Sequence, residues 1–347
     1  MTMLDSEQDG TAAAEYDVVI VGGAAAGLSA GLALSRARRR VAVVDAGEPR
    51  NAAAGHIHNY LGREGAAPGE LYAAGREEVR SYGGTIIPGR AQNVEHRGSG
   101  MFRVILEDGR TLSCRKILAA SGALDELPAV PGLSGFWGTD VLHCPYCHGW
   151  EAGGKALGVL ASNLDAAIHQ ALMWRQWCAD IVLFLNGTGT PSDEQEGQLA
   201  ARGIRIVDGP VTAVEGDGAG LAGVRLASGE FVPRQALVVM SKLRARDGYL
   251  AGVGLAAEDQ YFGDLAIGTA VPAEPSGATS VPGVYATGNL TSPMTQVIGA
   301  AAAGLATAAA INAELIAEDT AAAVAAARRE GLQEDEAFGA ETGPLLR

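Results

Sequence analysis

The turn Gly22-Gly23-Ala24-Ala25-Ala26-Gly27 constrains this chain most, because of what flanks it. Before it, Tyr16 to Val21 (YDVVIV) is a short apolar run rich in β-branched residues, the pattern of a buried strand. After it, the residues to Arg38 form a helical segment, and Val41 to Asp45 is a second strand. The chain therefore opens as a βαβ unit. A dinucleotide fingerprint needs glycine for the tight turn, for close approach of a pyrophosphate, and for packing of helix on strand. Gly22 and Gly27 hold the first and last of these places. Ala24 holds the middle one and, with Ala25 beside it, is small enough to let phosphate reach the N–H groups of the helix start. Asp45 ends the second strand 18 residues after Gly27, near the spacing of a ribose-binding carboxylate. Strand, turn, helix and acid in register predict a bound nucleotide.

A length of 347 residues suggests two domains, since a single core stops growing near roughly 250–300 residues. A net charge of −14 argues against nucleic acid and anionic membrane as partners, since both attract basic surface. No window reads as long and apolar enough to cross a bilayer. Residues 1–14 read as a disordered lead without the pattern of a signal peptide, so a cytoplasmic protein is expected. Strand-like runs fill 84–118, with a turn at Glu107-Asp108-Gly109. A second βαβ unit follows: strand Ala156–Ala161, helix Asn163–Trp177, strand Ile181–Leu185. Strands and turns fill 211–240, an Ala-rich helix runs from Gln296 to Ile316, and 317–347 reads as a frayed helix and acidic tail.

Four cysteines in such a chain do not make a disulfide framework. Two of them stand in His143-Cys144-Pro145-Tyr146-Cys147-His148-Gly149. CxxC spacing lets two sulfurs close a ring or hold one acidic thiolate. Half a zinc site is the competing reading, but it needs a second ligand pair, and Cys114 and Cys178 are isolated. Those two are expected to be buried structural thiols. No metal is expected. His148 can accept and return a thiol proton near neutrality, and His143 is a second candidate. Met173, Trp174 and Trp177 are expected in the core, with a pocket wall as the alternative.

The glycine turn, the CPYC pair and Val281-Pro282-Gly283-Val284-Tyr285-Ala286-Thr287-Gly288-Asn289 together resemble the low-molecular-weight thioredoxin reductase family over about residues 15–316. The resemblance implies an α/β fold of two Rossmann-like FAD/NAD(P)-binding domains, the second inserted in the first. The FAD domain would be 15–126 with 246–316, and the insert 127–245 would carry the CxxC. FAD would lie on Gly22, Ala24, Ala25, Gly27 and Asp45, with Gly288 and Asn289 at its ribityl and pyrophosphate region. Gln296, Val297 and Asn59 would stand beside its ring. Asn289 is an amide where the family has an acid, so similar hydrogen bonding with a different charge is expected. The family also implies that Cys147 faces the flavin, that Cys144 faces the substrate, and that the chain forms a homodimer.

The second nucleotide site departs from the family. Ser162, Leu164 and Ala167 occupy its fingerprint positions, and Leu185-Asn186-Gly187 replaces its basic run. A leucine at the close-approach position obstructs pyrophosphate, unless the loop shifts. CxxC-His-Gly with a decayed NADP site is similar to the flavin-dependent dithiol oxidases of natural-product pathways, the gliotoxin, holomycin and romidepsin type. That resemblance implies a small-molecule dithiol and O2 as partners. A thioredoxin reductase drawing on NADPH or another donor, and a non-catalytic flavin redox sensor, are the competing expectations.

Overall fold

The computed structural model describes residues 15–98 and 100–341, with side chains to 329. The lead expected at 1–14 lies outside the described residues. The first segment runs β1 (Tyr16–Val21), α1 (Ala25–Arg36), β2 (Val41–Asp45), α2 (Pro68–Ser81), β3 (Thr85–Pro88), β4 (Ala91–Arg97), β5 (Met101–Leu106), β6 (Thr111–Ala119) and β7 (Ala123–Glu126). The middle runs β8 (Val141–Leu142), α3 (Pro145–His148), β9 (Leu157–Leu160), α4 (Leu164–Trp174), β10 (Ile181–Phe184), α5 (Asp193–Ala201), β11 (Arg205–Val207), β12 (Val211–Gly216), β13 (Leu221–Leu226), β14 (Phe231–Pro233) and β15 (Ala236–Val238). The chain then returns through β16 (Lys242–Ala245), β17 (Glu258–Phe262), β18 (Leu265–Ala270), β19 (Val284–Ala286) and α6 (Val297–Glu341).

β1 is central in the first sheet, whose order is β3-β2-β1-β6-β5-β4 with β19 added beside β6. It runs parallel to β2 and β6, with Val18 opposite Val41 and Val19 opposite Ile117. Alternate side chains of β1 serve two cores, as the period of two requires. Val18 and Ile20 join Leu28, Leu34, Val79 and Ile311 under the helices. Val19 and Val21 join Val104, Ile117 and Leu250 on the other face. The second sheet, β11-β10-β9-β15-β8, is parallel at each pairing and repeats the logic, with Trp174 at the end of α4 fully buried. This is the two-domain α/β fold expected from the sequence.

β7 and β16 carry the chain between the two sheets and pair antiparallel, with Lys242 opposite Glu126 and Ala245 opposite Ala123.

Two expectations need correction. α6 does not end at Ile316 but continues to Glu341. Its Val297–Arg329 stretch is also long and apolar enough, by length and composition, to cross a membrane. Alanine supplies much of that hydropathy, and about 33% of the most apolar stretch is buried. Gly304 packs so closely on α1 that a Cβ there would lie 2.1 Å from the Ala26 carbonyl oxygen. Beyond this contact, Arg39 and Arg115 pair with Asp319, and Lys116 with Glu314 and Glu318, which anchors the helix to the sheet.

Candidate active site

Gly22 has φ +122°, and a Cβ on it would stand 2.2 Å from the Ala120 carbonyl oxygen. A Cβ on Gly27 would stand 1.8 Å from the Gly22 carbonyl oxygen, so helix and turn meet backbone to backbone. Gly23, which the fingerprint does not single out, lies under Asp45: its Cβ would be 2.2 Å from the carboxylate carbon. Ala24 caps α1 without a side-chain hydrogen bond, so the N–H groups of the first turn, starting at Ala25, face the cleft. Asp45 is held by the Gly47 N–H at 2.8 Å and by Arg76 at 3.1 Å. A bare helix start, a glycine cradle and a fixed carboxylate suit the pyrophosphate and ribose of a dinucleotide.

From this cradle a cleft of about 1260 Å³ runs to the cysteine pair, lined on the way by Asn289, Gln296 and Val297. Gly288, at φ +70°, has no room for a Cβ against Ala26 (2.7 Å). The two N–H groups of the Asn289 amide are shared among three carbonyls, those of Ser292 (3.2 Å), Pro293 (2.9 Å) and Thr295 (2.8 Å). An acid has no donor to offer them. The Asn289 amide nitrogen thus shapes the loop before α6, a use beyond the acid-like hydrogen bonding expected at this position.

Cys144 immediately precedes the single turn α3, and its carbonyl accepts from the N–H groups of Cys147 and His148 at 3.2 Å each. Both cysteines are free and half-buried, with sulfurs 2.9 Å apart. Gln296 Nε2 donates to Cys147 Sγ at 3.8 Å. A hydrogen bond from Cys147 holds the Cys144 thiol down to about 7, and the N–H groups of Cys147 and Tyr146 assist. The same shared proton, with burial, raises Cys147. Gly149 admits the Trp177 ring, whose edge also meets Tyr146 with centroids 5.7 Å apart; a Cβ would be 2.9 Å from the indole. Trp177 and Met173 are half-buried, and Met173 lines the cleft, whereas Trp174 lies in the core. Cys114 and Cys178 are buried, as expected.

His148 lines the cleft, and both its ring nitrogens are buried without a hydrogen-bond partner among the described residues. Burial lowers its pKa, against the pull of Glu151. His143 lines the same cleft, with its ring packed on Trp137 at 5.6 Å and its Nε2 3.5 Å from Arg50 Nη2. Burial and then the Arg50 charge bring it down to about 4, so the imidazole is neutral. Asn59 reaches the cysteine segment, donating its amide to the Tyr146 carbonyl, and adopts φ +60°. Arg50 was not legible as a site residue. Its only trace in the sequence is a position five residues after Asp45.

At the second nucleotide turn, side chains engage some of the backbone groups. Asn163 Oδ1 accepts the Ala166 N–H at 3.0 Å, where a phosphate would bind. Asn186 donates to the Ala161 carbonyl (3.2 Å) and accepts the Val211 N–H (2.8 Å). Asp165 places a carboxylate in the first turn of α4. Leu164 projects towards Gly189, 3.5 Å from where its Cβ would be.

Residues 16–172 match the family described as pyridine nucleotide-disulphide oxidoreductase. Among solved structures, HlmI is 41% identical with a TM-score of 0.83, covering 91% of this chain and 97% of its own. An oxidoreductase from Agrobacterium tumefaciens is 35% identical with a TM-score of 0.80, covering 87% of this chain and 98% of its own. Thioredoxin reductase sirT of Leptosphaeria maculans is 29% identical over 322 residues, covering 88% of this chain and 96% of its own.

Proposed function

The chain belongs to the pyridine nucleotide-disulphide oxidoreductase family as a thioredoxin reductase-like flavoprotein enzyme, and on that premise we propose that it oxidises a small-molecule dithiol to a cyclic disulfide through Cys144 and Cys147. One observation carries the reading: the cysteine pair opens into the same cleft as the first dinucleotide cradle, while at the second nucleotide turn Asn163 and Asn186 occupy backbone groups with their own side chains. Electrons then have a way in through thiols and none evident through a nicotinamide.

FAD is the cofactor of this reading: Gly22, Ala24, Ala25, Gly27 and Asp45 would hold its adenine half, and bound there it supplies two-electron acceptor chemistry between the cysteine pair and O2, with H2O2 as product. The chain's residues do the sulfur chemistry. A substrate thiolate attacks Cys144 Sγ of the Cys144–Cys147 disulfide; a mixed disulfide forms and Cys147 leaves as a thiolate. The second substrate thiol attacks the substrate's own sulfur in that bond, closes the product ring and expels Cys144. His148 takes up the proton that the attacking thiol must lose. The sum is dithiol plus O2 giving disulfide plus H2O2.

An oxygen electrode tests this. Dithiol-dependent O2 uptake with matching H2O2 is expected, and NADPH should reduce the flavin poorly or not at all. NADPH oxidation coupled to thioredoxin, without dithiol-dependent O2 uptake, sinks the oxidase and restores the reductase. Neither turnover makes the chain a sensor.

A further inference from the structure

We propose that Arg50 is a positioning residue, the centre of a clasp that holds the cysteine segment docked at the cleft; the proposal deepens the oxidase reading and rests on it. Arg50 sits in the 3-10 turn Arg50–Ala53 that follows β2, on the glycine-cradle side. Its Nε and Nη2 donate in parallel to the two oxygens of Asp125, at 2.8 Å each. Asp125 lies on the outgoing crossing strand β7, and its Oδ1 also accepts from the hydroxyl of Ser241 (2.7 Å), the residue before the returning strand β16. Arg50 Nη1 donates to the Pro293 carbonyl at 3.3 Å, in the loop that delivers Gln296. Its Nη2 is 3.5 Å from His143 Nε2, next to Cys144. One guanidinium thus ties both crossings, the loop before α6 and the residue preceding the reactive pair.

The chemistry of the parts supports a positioning role. The side chains of Arg50 and Asp125 are 19% and 8% exposed, and a pair so far from water adds little net stability. What it supplies is geometry, since the planar fork fixes the carboxylate and leaves one N–H for a neutral acceptor. His143 is such an acceptor, because burial beside Arg50 keeps its imidazole unprotonated. Any swing of the insert about β7 and β16 moves His143 and Ser241 relative to Arg50 and Asp125, and so opens the clasp. Lysine keeps the charge but cannot span both oxygens of Asp125 and reach His143 as well.

The test is hydrogen–deuterium exchange on the flavin-loaded wild type, Arg50→Lys and Ser241→Ala, with single-turnover flavin reduction by a dithiol. Arg50→Lys should speed exchange in 141–150 by about 10-fold, the scale of a lost charged hydrogen bond, with β1, α1 and β2 unchanged. Flavin reduction should slow by a similar factor while the flavin stays bound. Ser241→Ala, a milder change that leaves the fold secure, should give the same exchange pattern at about 3-fold. Wild-type exchange in 141–150 in both variants overturns the clasp, as does a uniform rise across the whole chain. If no dithiol is oxidised by the wild type, the oxidase reading falls, and the exchange pattern still decides the clasp separately.

Discussion

Gln296 Nε2 lies 3.8 Å from Cys147 Sγ although 149 residues separate them in sequence. The start of α6 and the turn α3 therefore meet at one point of the cleft, where Gln296 bears on both sulfurs. Cys147 is the one beside the α6 start, and Cys144 carries the negative charge of the reduced pair near neutral pH. Cys147→Ser should abolish flavin reduction by dithiols. Cys144→Ser should remove the neighbouring thiolate that holds the proton on Cys147, so that Cys147 ionises more readily next to the flavin, seen as a long-wavelength charge-transfer band. Full activity in Cys144→Ser reverses the assignment.

His148 gives a pH test. Its pKa is lowered by burial, so it is neutral and able to accept a proton from a pH below the usual histidine range upwards. An unassisted small-molecule thiol has a pKa near ~8.5 and is mostly protonated at pH 7. His148→Ala should therefore slow flavin reduction at pH 7 by about 100-fold, the scale of general-base catalysis, and recover as pH rises past the substrate thiol's pKa. A profile parallel to wild type from pH 6 to 10 removes His148 from the proton path.

The glycine turn, the sheet that follows from it and the cysteine pair were legible because each is local: a few adjacent residues fix φ, a strand or a sulfur spacing. Gly22, Gly27 and Asp45 needed no tertiary knowledge. Arg50 was hidden because its partners Asp125, His143 and Pro293 come from three distant segments, and arginine by itself has no pattern. Asn289 has contacts that were hidden for a related reason. Its position was clear from the motif, but donating to three carbonyls is a property of the loop it closes. The length of α6 was underestimated because alanine signals helix without signalling where packing ends.

Asn289→Asp tests that donor role. The carboxylate would face three carbonyl oxygens with nothing to donate, at a cost of about 2–4 kcal/mol for lost bonds and repulsion. Thermal unfolding should shift down, and flavin should dissociate more readily at pH 8 than at pH 4, where the acid is protonated and regains one donor. Wild-type flavin retention at both pH values shows that the loop is held by other means.

The choice between dithiol and monothiol follows from how the mixed disulfide on Cys144 is resolved. Either kind of thiol can attack the Cys144–Cys147 disulfide once, since that step needs one sulfur and a proton acceptor. The fates then diverge. A second thiol on the same scaffold is already beside the mixed disulfide, with an effective molarity of up to ~10⁵ M in well-oriented cases. A monothiol must wait for another molecule to enter a cleft that the first partly fills, while Cys147, 2.9 Å from Cys144 in this structure, competes to re-form the original disulfide. At millimolar substrate the ring-closing route should win by several orders of magnitude. Reduced thioredoxin also carries two thiols, but it is a folded protein and must bring them to sulfurs that are half-buried in the cleft. Comparing kcat/KM under air should therefore rank compact dithiols first, with matched monothiols and reduced thioredoxin at least 100-fold lower. Equal rates for monothiols contradict the ring-closing step, and a preference for thioredoxin contradicts the small-molecule cleft.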